Sequence, residues 1–188
     1  MTEYEQGRLE LEAIVADIKS EGITQFNEAN TRFKYIDRIL TKCLGWDTSN
    51  ISCEDSYAGK YTDYILSLFR SVAVLEAKKT GIYFKLPVGQ TKLIQPLATV
   101  YKDNKKVRKA IDQVKGYCSD RSIQIAIVSN GWQFVAFIAN RNDSVPPLDG
   151  NALVIPSIDY FLENYQEVWN CISKTGFKEE YLIKKLTK

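Results

Sequence analysis

The sequence predicts a fold of the mixed α/β (α+β) class, in which helices flank a central mixed sheet of four to five strands. Apolar residues recur at helical spacing near both ends of the chain and once in its middle. Two β-rich runs, 60–69 and 71–78, are separated by a short polar break, and two further apolar runs surround Asn130-Gly131. Elements in this order bury their apolar faces best when the helices pack on one shared sheet.

Length and composition are those of one ordinary soluble domain. The chain has 188 residues, of which 45% are hydrophobic, with 25 basic and 23 acidic side chains. This is enough apolar material for a single core, so we expect one domain over residues 1–188. A net charge of +2 gives no overall attraction to a polyanion, so any nucleic-acid surface would have to be a local patch.

Several absences exclude whole classes of protein. No apolar run reaches the roughly 20 residues of a membrane span, and the acidic N-terminus lacks the basic-then-apolar pattern of a secretory leader, which predicts a cytoplasmic protein with no membrane partner. The sequence contains no histidine, which excludes Ser-His-Asp and Cys-His catalysis and Cys/His zinc sites. The cysteines are far apart and are predicted to be reduced and buried, without a disulfide: Cys43, Cys53, Cys118 and Cys171.

Two helices are predicted before Gly45. The first covers about the first twenty residues and ends at Gly22, and its apolar positions are Leu11, Ile14, Val15 and Ile18. The second covers 27–44 and ends at Gly45, with an apolar stripe formed by Phe33, Ile36, Leu40, Cys43 and Leu44. Glu28 falls at the edge of this stripe rather than on the fully solvated face.

The middle of the chain predicts strands followed by a helix. The polar segment 46–59 is predicted as a loop, and the strands 60–69 and 71–78 then form a meander. Residues 80–103 are predicted to be irregular and to hold a short helix or an active-site flap. Residues 104–120 return to helical spacing, and Gln113 and Tyr117, four positions apart, flank its apolar stripe together.

The last third of the chain predicts a hairpin and terminal helices. Asn130-Gly131 predicts a type I′ turn between two apolar strands, because that turn needs positive φ at both central residues. Pro146-Pro147 predicts a loop, 152–155 a short strand and 159–173 a helix, and a lysine-rich helix from Phe177 closes the helical region 157–188. The three tryptophans are predicted to belong to the core.

A carboxylate and an ammonium stand one residue apart at the end of an apolar strand. Glu76 and Lys78 share one face of this strand, and burying either charge alone would be costly. Asp63 lies in the preceding strand, so two carboxylates can share one divalent cation. Mg²⁺ is typically held by one or two carboxylates plus phosphate oxygens, and it orients an attacking water that Lys78 could help to position.

The chain resembles the PD-(D/E)xK nuclease superfamily and, within it, the N-terminal nuclease domain of type I restriction enzyme R subunits. The similarity spans about residues 27–140 and is carried by pieces that occur in the family's order: Glu28 with Thr31-Arg32, Leu44-Gly45-Trp46, Asp63, Glu76 with Lys78, Gln113 with Tyr117, and the Asn130-Gly131 hairpin. The proline that often precedes the first aspartate is Thr62 here. That departure matters little, because a metal contacts the carboxylate and not the residue before it.

The resemblance implies a restriction-endonuclease-like core and a Mg²⁺- or Mn²⁺-dependent endonuclease that cuts DNA. It places Asp63, Glu76 and Glu28 around the metal and Lys78 at the water, while Gln113 and Tyr117 support the site or the substrate. It further implies a restriction or antiphage role within a larger helicase or NTPase protein, or beside specificity subunits, and the chain could also be a small stand-alone protein or a homo-oligomer. Residues expected to contact the DNA backbone are Lys60, Lys79, Lys105, Lys106 and Arg108.

Each of these features also has an ordinary structural explanation. Taken alone, Glu76 and Lys78 are more simply a surface ion pair, and only the context of Asp63 and Gln113 favours a metal site. Glu28 can be a first-turn acid that stabilises its helix, and 105–109 a solvated helix face. The competing function is therefore a catalytically silent nucleic-acid-binding or oligomerisation domain, and RNA is a further candidate substrate.

Overall fold

The computed structural model describes residues 1–21, 26–57, 59–86, 92–103 and 105–187. Within these residues, seven strands form one mixed sheet in the order β1-β2-β3-β5-β6-β7-β4. The strands are β1 (Ile51–Tyr57), β2 (Lys60–Ser67), β3 (Ser71–Ala77), β4 (Ile94–Pro96), β5 (Ile125–Ser129), β6 (Phe134–Ile138) and β7 (Asn151–Ile155). The predicted class is confirmed, but the sheet is wider than the four to five strands expected.

The centre of the sheet contains its one parallel pair among the described strands. β3 runs parallel to β5, and the other neighbouring strands are antiparallel. A parallel pair needs a crossover connection, which here includes α3 (Leu97–Asp103) and α4 (Lys105–Arg121). The carboxyl end of β3, where Glu76 and Lys78 lie, is therefore at the middle of the sheet and next to α4.

Helices cover both faces of the sheet and divide the core into two clusters. One cluster joins the N-terminal and C-terminal helices to one face, with residues such as Ile36, Leu75 and Tyr165. The other joins α4 to the opposite face, where Val74 and Val128 are fully buried. The apolar stripe predicted for α4 is confirmed, since its buried residues are Val107, Ala110, Ile111, Val114 and Cys118.

Both predicted N-terminal helices are present. α1 spans Glu3–Glu21, and its predicted stop at Gly22 lies outside the described residues. The second helix begins as α2 (Glu28–Thr31) and continues through two π-helical segments, Arg32–Ile36 and Ile39–Cys43. A π turn contains more residues than an α-helical turn, so the side chains that follow it no longer repeat every 3.6 residues.

This shift explains why Phe33 was wrongly assigned to the apolar stripe. Phe33 is 74% exposed, whereas Tyr35 is 3% exposed and takes a core position that the sequence pattern had not assigned to it. The other predicted members of the stripe, Ile36, Leu40, Cys43 and Leu44, are buried.

Two of the predicted irregular segments contain regular structure. Residues 46–59 were expected to form a loop, but β1 occupies half of them as an edge strand paired to β2. An edge strand with one solvated face carries polar residues, so its composition resembles that of a loop. Residues 80–103 contain β4 as well as the short helix α3, and part of the expected active-site flap, 87–91, lies outside the described residues.

The hairpin at Asn130-Gly131 is confirmed, but its turn is not type I′. Ser129 pairs with Phe134, so four residues connect the strands, and of the two central residues only Gly131 has positive φ, at 97°. Asn130 acts through its side chain instead, since its Oδ1 accepts hydrogen bonds from the backbone N–H groups of Trp132 and Gln133 at 3.3 and 2.9 Å.

The C-terminal helices are shorter and more numerous than predicted. The expected helix 159–173 is divided into α5 (Ile158–Glu163) and α6 (Tyr165–Ile172), and the lysine-rich region forms α7 (Lys174–Lys178) and α8 (Tyr181–Leu186). The expected burial of the tryptophans is confirmed for Trp46, Trp132 and Trp169, which are 1%, 6% and 7% exposed.

The cysteines are free, as predicted, but one of them is not buried. Cys43, Cys118 and Cys171 lie in the core, whereas Cys53 is exposed because it lies on the edge strand β1. Among the described residues, no helix combines the length and the apolarity that crossing a membrane requires.

Candidate active site

Glu76 and Lys78 form an ion pair at the end of β3. Glu76 is 3% exposed, and its carboxylate accepts a hydrogen bond from the Lys78 ammonium. Burial raises the pKa of Glu76 to about 7, although the adjacent Lys78 charge acts in the opposite direction. Lys78 is thus the direct partner that compensates the buried carboxylate.

The helix α4 extends this pair into a chain of hydrogen bonds. Lys78 Nζ also donates to Gln113 Oε1 at 3.1 Å, and Gln113 Nε2 donates to the Tyr117 hydroxyl at 3.0 Å. The spacing of four residues places Gln113 and Tyr117 one above the other on α4. Four of the side chains named from the sequence therefore form one continuous network.

Asp63 lies beside the same segment of β3. Its Oδ2 accepts a hydrogen bond from the backbone N–H of Ala77 at 2.8 Å, and Ala77 separates Glu76 from Lys78. The next pair along the ladder is Tyr64 with Leu75, which brings Asp63 level with Glu76. The Asp63 charge also helps to raise the pKa of Glu76, after the larger effect of burial.

Glu28 approaches this group from the start of α2. It is exposed and occupies the first turn, where a negative charge favours the helix N-terminus. Its charge is another contribution that raises the pKa of Glu76, smaller than that of burial or of Asp63. Glu28 therefore lies within electrostatic reach of the site while also having an ordinary role in its helix.

Arg32 is a functional candidate that the sequence assigned no role. Its Nη1 lies 3.5 Å from Asp63 Oδ1 and 3.2 Å from Glu54 Oε1, and its guanidinium stacks 4.8 Å from the centre of the Tyr64 ring. The sequence places Arg32 in the Thr-Arg pair of the resemblance, but nothing in the pattern indicates which carboxylate it contacts.

The donor set of the site fits a hard divalent cation. Within the described part of the chain, no group of three or more His, Cys, Asp or Glu side chains is arranged to hold a metal. Asp63 and Glu76 nevertheless supply the one or two carboxylates that Mg²⁺ commonly uses, the rest of its coordination coming from water and substrate oxygens. Both carboxylates are paired with cations of the protein, Arg32 and Lys78.

The basic residues predicted to contact DNA have different environments. Lys60 pairs with Asp120 at 2.7 Å, and Arg108 donates to the carbonyls of Tyr101 and Lys102 at 3.3 and 3.1 Å. The other predicted contacts, Lys79, Lys105 and Lys106, are exposed.

One further lysine was missing from the predicted contacts. On the helical wheel of α4, Lys106 and Lys109 lie on the stripe that continues into Gln113 and Tyr117. Lys109 is also exposed. A basic stripe therefore leads along α4 to the candidate site.

The raised pKa of Glu76 predicts a pH-dependent effect of Glu76→Gln on stability. In the folded protein this pKa is about 7, above its ordinary value of 4.5, so from pH 4.5 to 7 the folded state holds a proton that the unfolded state has lost. The wild-type protein therefore loses stability as pH rises through this window, and the glutamine variant does not.

When the pH is raised from 5 to 8, we expect the free energy of unfolding of wild type to fall by about 2 kcal/mol more than that of Glu76→Gln. Urea denaturation of both proteins at the two pH values measures this difference. Equal changes in the two proteins would contradict the prediction, and Glu179→Gln, which replaces an exposed acid that does not act on the pKa of Glu76, serves as the control.

Comparison with known proteins adds one weak likeness. No protein-family model matches the chain, and no curated protein matches it. Among solved structures, the chain is similar to a fragment described as an HsdR subunit of a type I restriction enzyme from Vibrio vulnificus YJ016, with a TM-score of 0.41 and 19% identity over 80% of this chain. The chain spans 27% of the length of that protein. A likeness this low does not indicate a function for this chain.

Proposed function

We propose that this chain is a metal-dependent endonuclease that hydrolyses phosphodiester bonds in DNA. The observation that carries the proposal is the network at the end of β3, where Glu76, Lys78 and Gln113 are hydrogen-bonded. Asp63 is held against the same backbone segment by the N–H of Ala77. Glu76 and Lys78 are neighbours at the end of β3, whereas Asp63 comes from β2 and Gln113 from α4, so the folding of three elements brings these groups together.

Asp63 and Glu76 are the residues that would hold the metal, with Glu28 near enough to contribute charge. When bound, Mg²⁺ or Mn²⁺ supplies a positive charge for the phosphate oxygens and a water of lowered pKa. The protein's own contribution is to fix the carboxylates. Asp63 is held by a backbone hydrogen bond of 2.8 Å and Glu76 by its burial in the sheet.

Lys78 is the residue proposed to act on the attacking water and the phosphate. Its side chain is 18% exposed, so the ammonium reaches the surface while its partners Glu76 and Gln113 hold its position. A fixed positive charge there stabilises the negative charge that develops on the phosphate oxygens. Gln113 orients Lys78, and Tyr117 fixes Gln113 and offers a hydroxyl to the substrate.

The proposed substrate is the DNA backbone rather than a base sequence. The first turns of α4 carry only basic charges, from Lys105, Lys106, Arg108 and Lys109, and lead toward the site. Lysine and arginine on such a surface neutralise phosphates without reading bases. Lys60 and Lys79 would extend these contacts, in the case of Lys60 by exchanging its partner Asp120 for a phosphate.

A restriction or antiphage role is the biological part of the proposal. A nuclease without base contacts requires its target to be selected elsewhere, which a helicase, an NTPase or a specificity subunit would provide. A homo-oligomer would allow both strands of the DNA to be cut, since each copy holds one site.

A catalytically silent nucleic-acid-binding domain is the second candidate, and one observation favours it. Asp63 and Glu76 are each already paired with a cation of the protein, so the charges are compensated without a metal. Such a domain would bind DNA through the same lysines of α4 and would not cut it.

Incubation of the purified chain with labelled duplex DNA, and with RNA of the same sequence, tests the proposal. We expect cleavage of the DNA in Mg²⁺ or Mn²⁺, and none in EDTA. DNA binding without cleavage at any metal concentration would overturn the nuclease in favour of the silent domain. Cleavage of RNA alone would keep the chemistry and correct the substrate.

A further inference from the structure

Arg32 occupies the side of Asp63 that faces away from the Ala77 hydrogen bond. Ala77 N–H is bound to Oδ2, whereas Arg32 Nη1 lies 3.5 Å from Oδ1. Arg32 Nη2 also lies 3.5 Å from the backbone oxygen of Asp63. The carboxylate oxygen that accepts no backbone hydrogen bond from Ala77 is therefore the one paired with the guanidinium.

Other contacts hold the Arg32 guanidinium in this position. It stacks on Tyr64 at 4.8 Å, and the Tyr64 hydroxyl donates to Asp37 at 2.7 Å, which fixes the ring. Glu54 contacts the guanidinium at 3.2 Å from the edge strand. Arg32 is 17% exposed and its guanidinium remains charged at any accessible pH, so the positive charge is permanent.

We propose that Arg32 is the resident counter-ion of Asp63 and limits the affinity of the carboxylate pair for divalent metal. This inference rests on the proposed function, because it concerns the same two carboxylates. A cation that binds Asp63 Oδ1 must share it with a fixed positive charge 3.5 Å away, and like charges at this range repel each other. The arginine keeps Asp63 compensated when no metal is bound.

The inference predicts that removing the charge of Arg32 strengthens metal binding. Arg32→Met removes the charge and the guanidinium that stacks on Tyr64, and it leaves an unbranched apolar side chain beside the ring. We expect its Kd for Mn²⁺ to fall about tenfold relative to wild type, while Arg32→Lys stays close to wild type because it keeps the charge. The measurement is titration of Mn²⁺ followed by electron paramagnetic resonance of the free ion, which requires no activity.

Two controls separate this effect from general changes in stability or charge. Arg38→Met removes an arginine of the same helix whose partners are Glu10 at 2.7 Å and Asp17 at 3.0 Å, away from Asp63, and should leave the Kd unchanged. In an Asp63→Asn background, Arg32→Met should lose its effect, because the carboxylate on which it acts is gone. Should Arg32→Met fail to fold, Arg32→Gln is measured in its place.

The outcomes distinguish this inference from the function on which it rests. If Mn²⁺ binds wild type and binds folded Arg32→Met or Arg32→Gln no more tightly, the role of Arg32 is overturned and the metal-dependent function is not. An equal gain for Arg38→Met would overturn it as well. The absence of Mn²⁺ binding from wild type and all variants would overturn the metal-dependent function together with the inference.

Discussion

Lys78→Met is expected to reduce the rate of metal-dependent DNA cleavage about a thousandfold. The substitution removes the ammonium that Glu76 and Gln113 hold in place, while a methionine side chain of similar length preserves packing. Because the carboxylates remain, we expect metal and DNA still to bind. Single-turnover cleavage of a labelled duplex at saturating metal and enzyme measures the chemical step.

A lysine on the neighbouring helix α4 provides the control for this result. Lys115 lies on α4 and forms a surface ion pair with Asp112 at 3.7 Å, and such pairs contribute little. Lys115→Met should therefore cleave within about twofold of wild type. A rate for Lys78→Met that equals that of Lys115→Met would remove Lys78 from the proposed chemistry.

Trp46→Ala is expected to lower the free energy of unfolding by about 3–5 kcal/mol. Trp46 is 1% exposed, its Nε1 donates to the carbonyl of Ile172 at 3.1 Å, and its ring meets Phe177 edge-on at 5.4 Å. The residue joins the end of the second helix to α6 and α7, so its removal leaves a cavity and an unpaired carbonyl. Chemical denaturation of the variant and wild type gives the difference.

Phe33→Ala is the matched comparison, because it truncates a large aromatic residue that is 74% exposed. We expect its free energy of unfolding to stay within about 0.5 kcal/mol of wild type. A large loss for Phe33→Ala would contradict the exposed position of Phe33, and a loss for Trp46→Ala as small as that expected for Phe33→Ala would contradict the burial of Trp46.

The central elements of the fold could be predicted because their patterns are local. β3 and the strands around Asn130-Gly131 are runs of apolar residues, and α4 repeats its buried residues at helical spacing. β1 could not be predicted in the same way, since five of its seven positions are polar or aromatic and only its pairing with β2 makes it a strand. Phe33 was misplaced because π-helical turns change the spacing on which the assignment relied.

The candidate site shows the same division between local and long-range information. Glu76 and Lys78 were recognisable because a buried strand that ends in two charges requires a partner. The contact between Lys78 and Gln113 joins positions 35 residues apart, and its selection depended on a family resemblance rather than on a local pattern. Arg32 belongs to the Thr-Arg pair of that resemblance, but no sequence pattern indicated its contact with Asp63, which depends on how the second helix packs beside β2.

Cleavage of supercoiled plasmid by the purified chain in Mg²⁺ or Mn²⁺ tests the central claim most directly, beside EDTA and a Glu76→Ala/Lys78→Ala variant. The account predicts nicking by wild type that requires the metal and disappears in the variant, which should still be folded. Metal-dependent nicking that survives in the folded variant would contradict the assignment of the site. A folded wild-type protein that binds plasmid without nicking it at any metal concentration would contradict the claim that the chain is a nuclease.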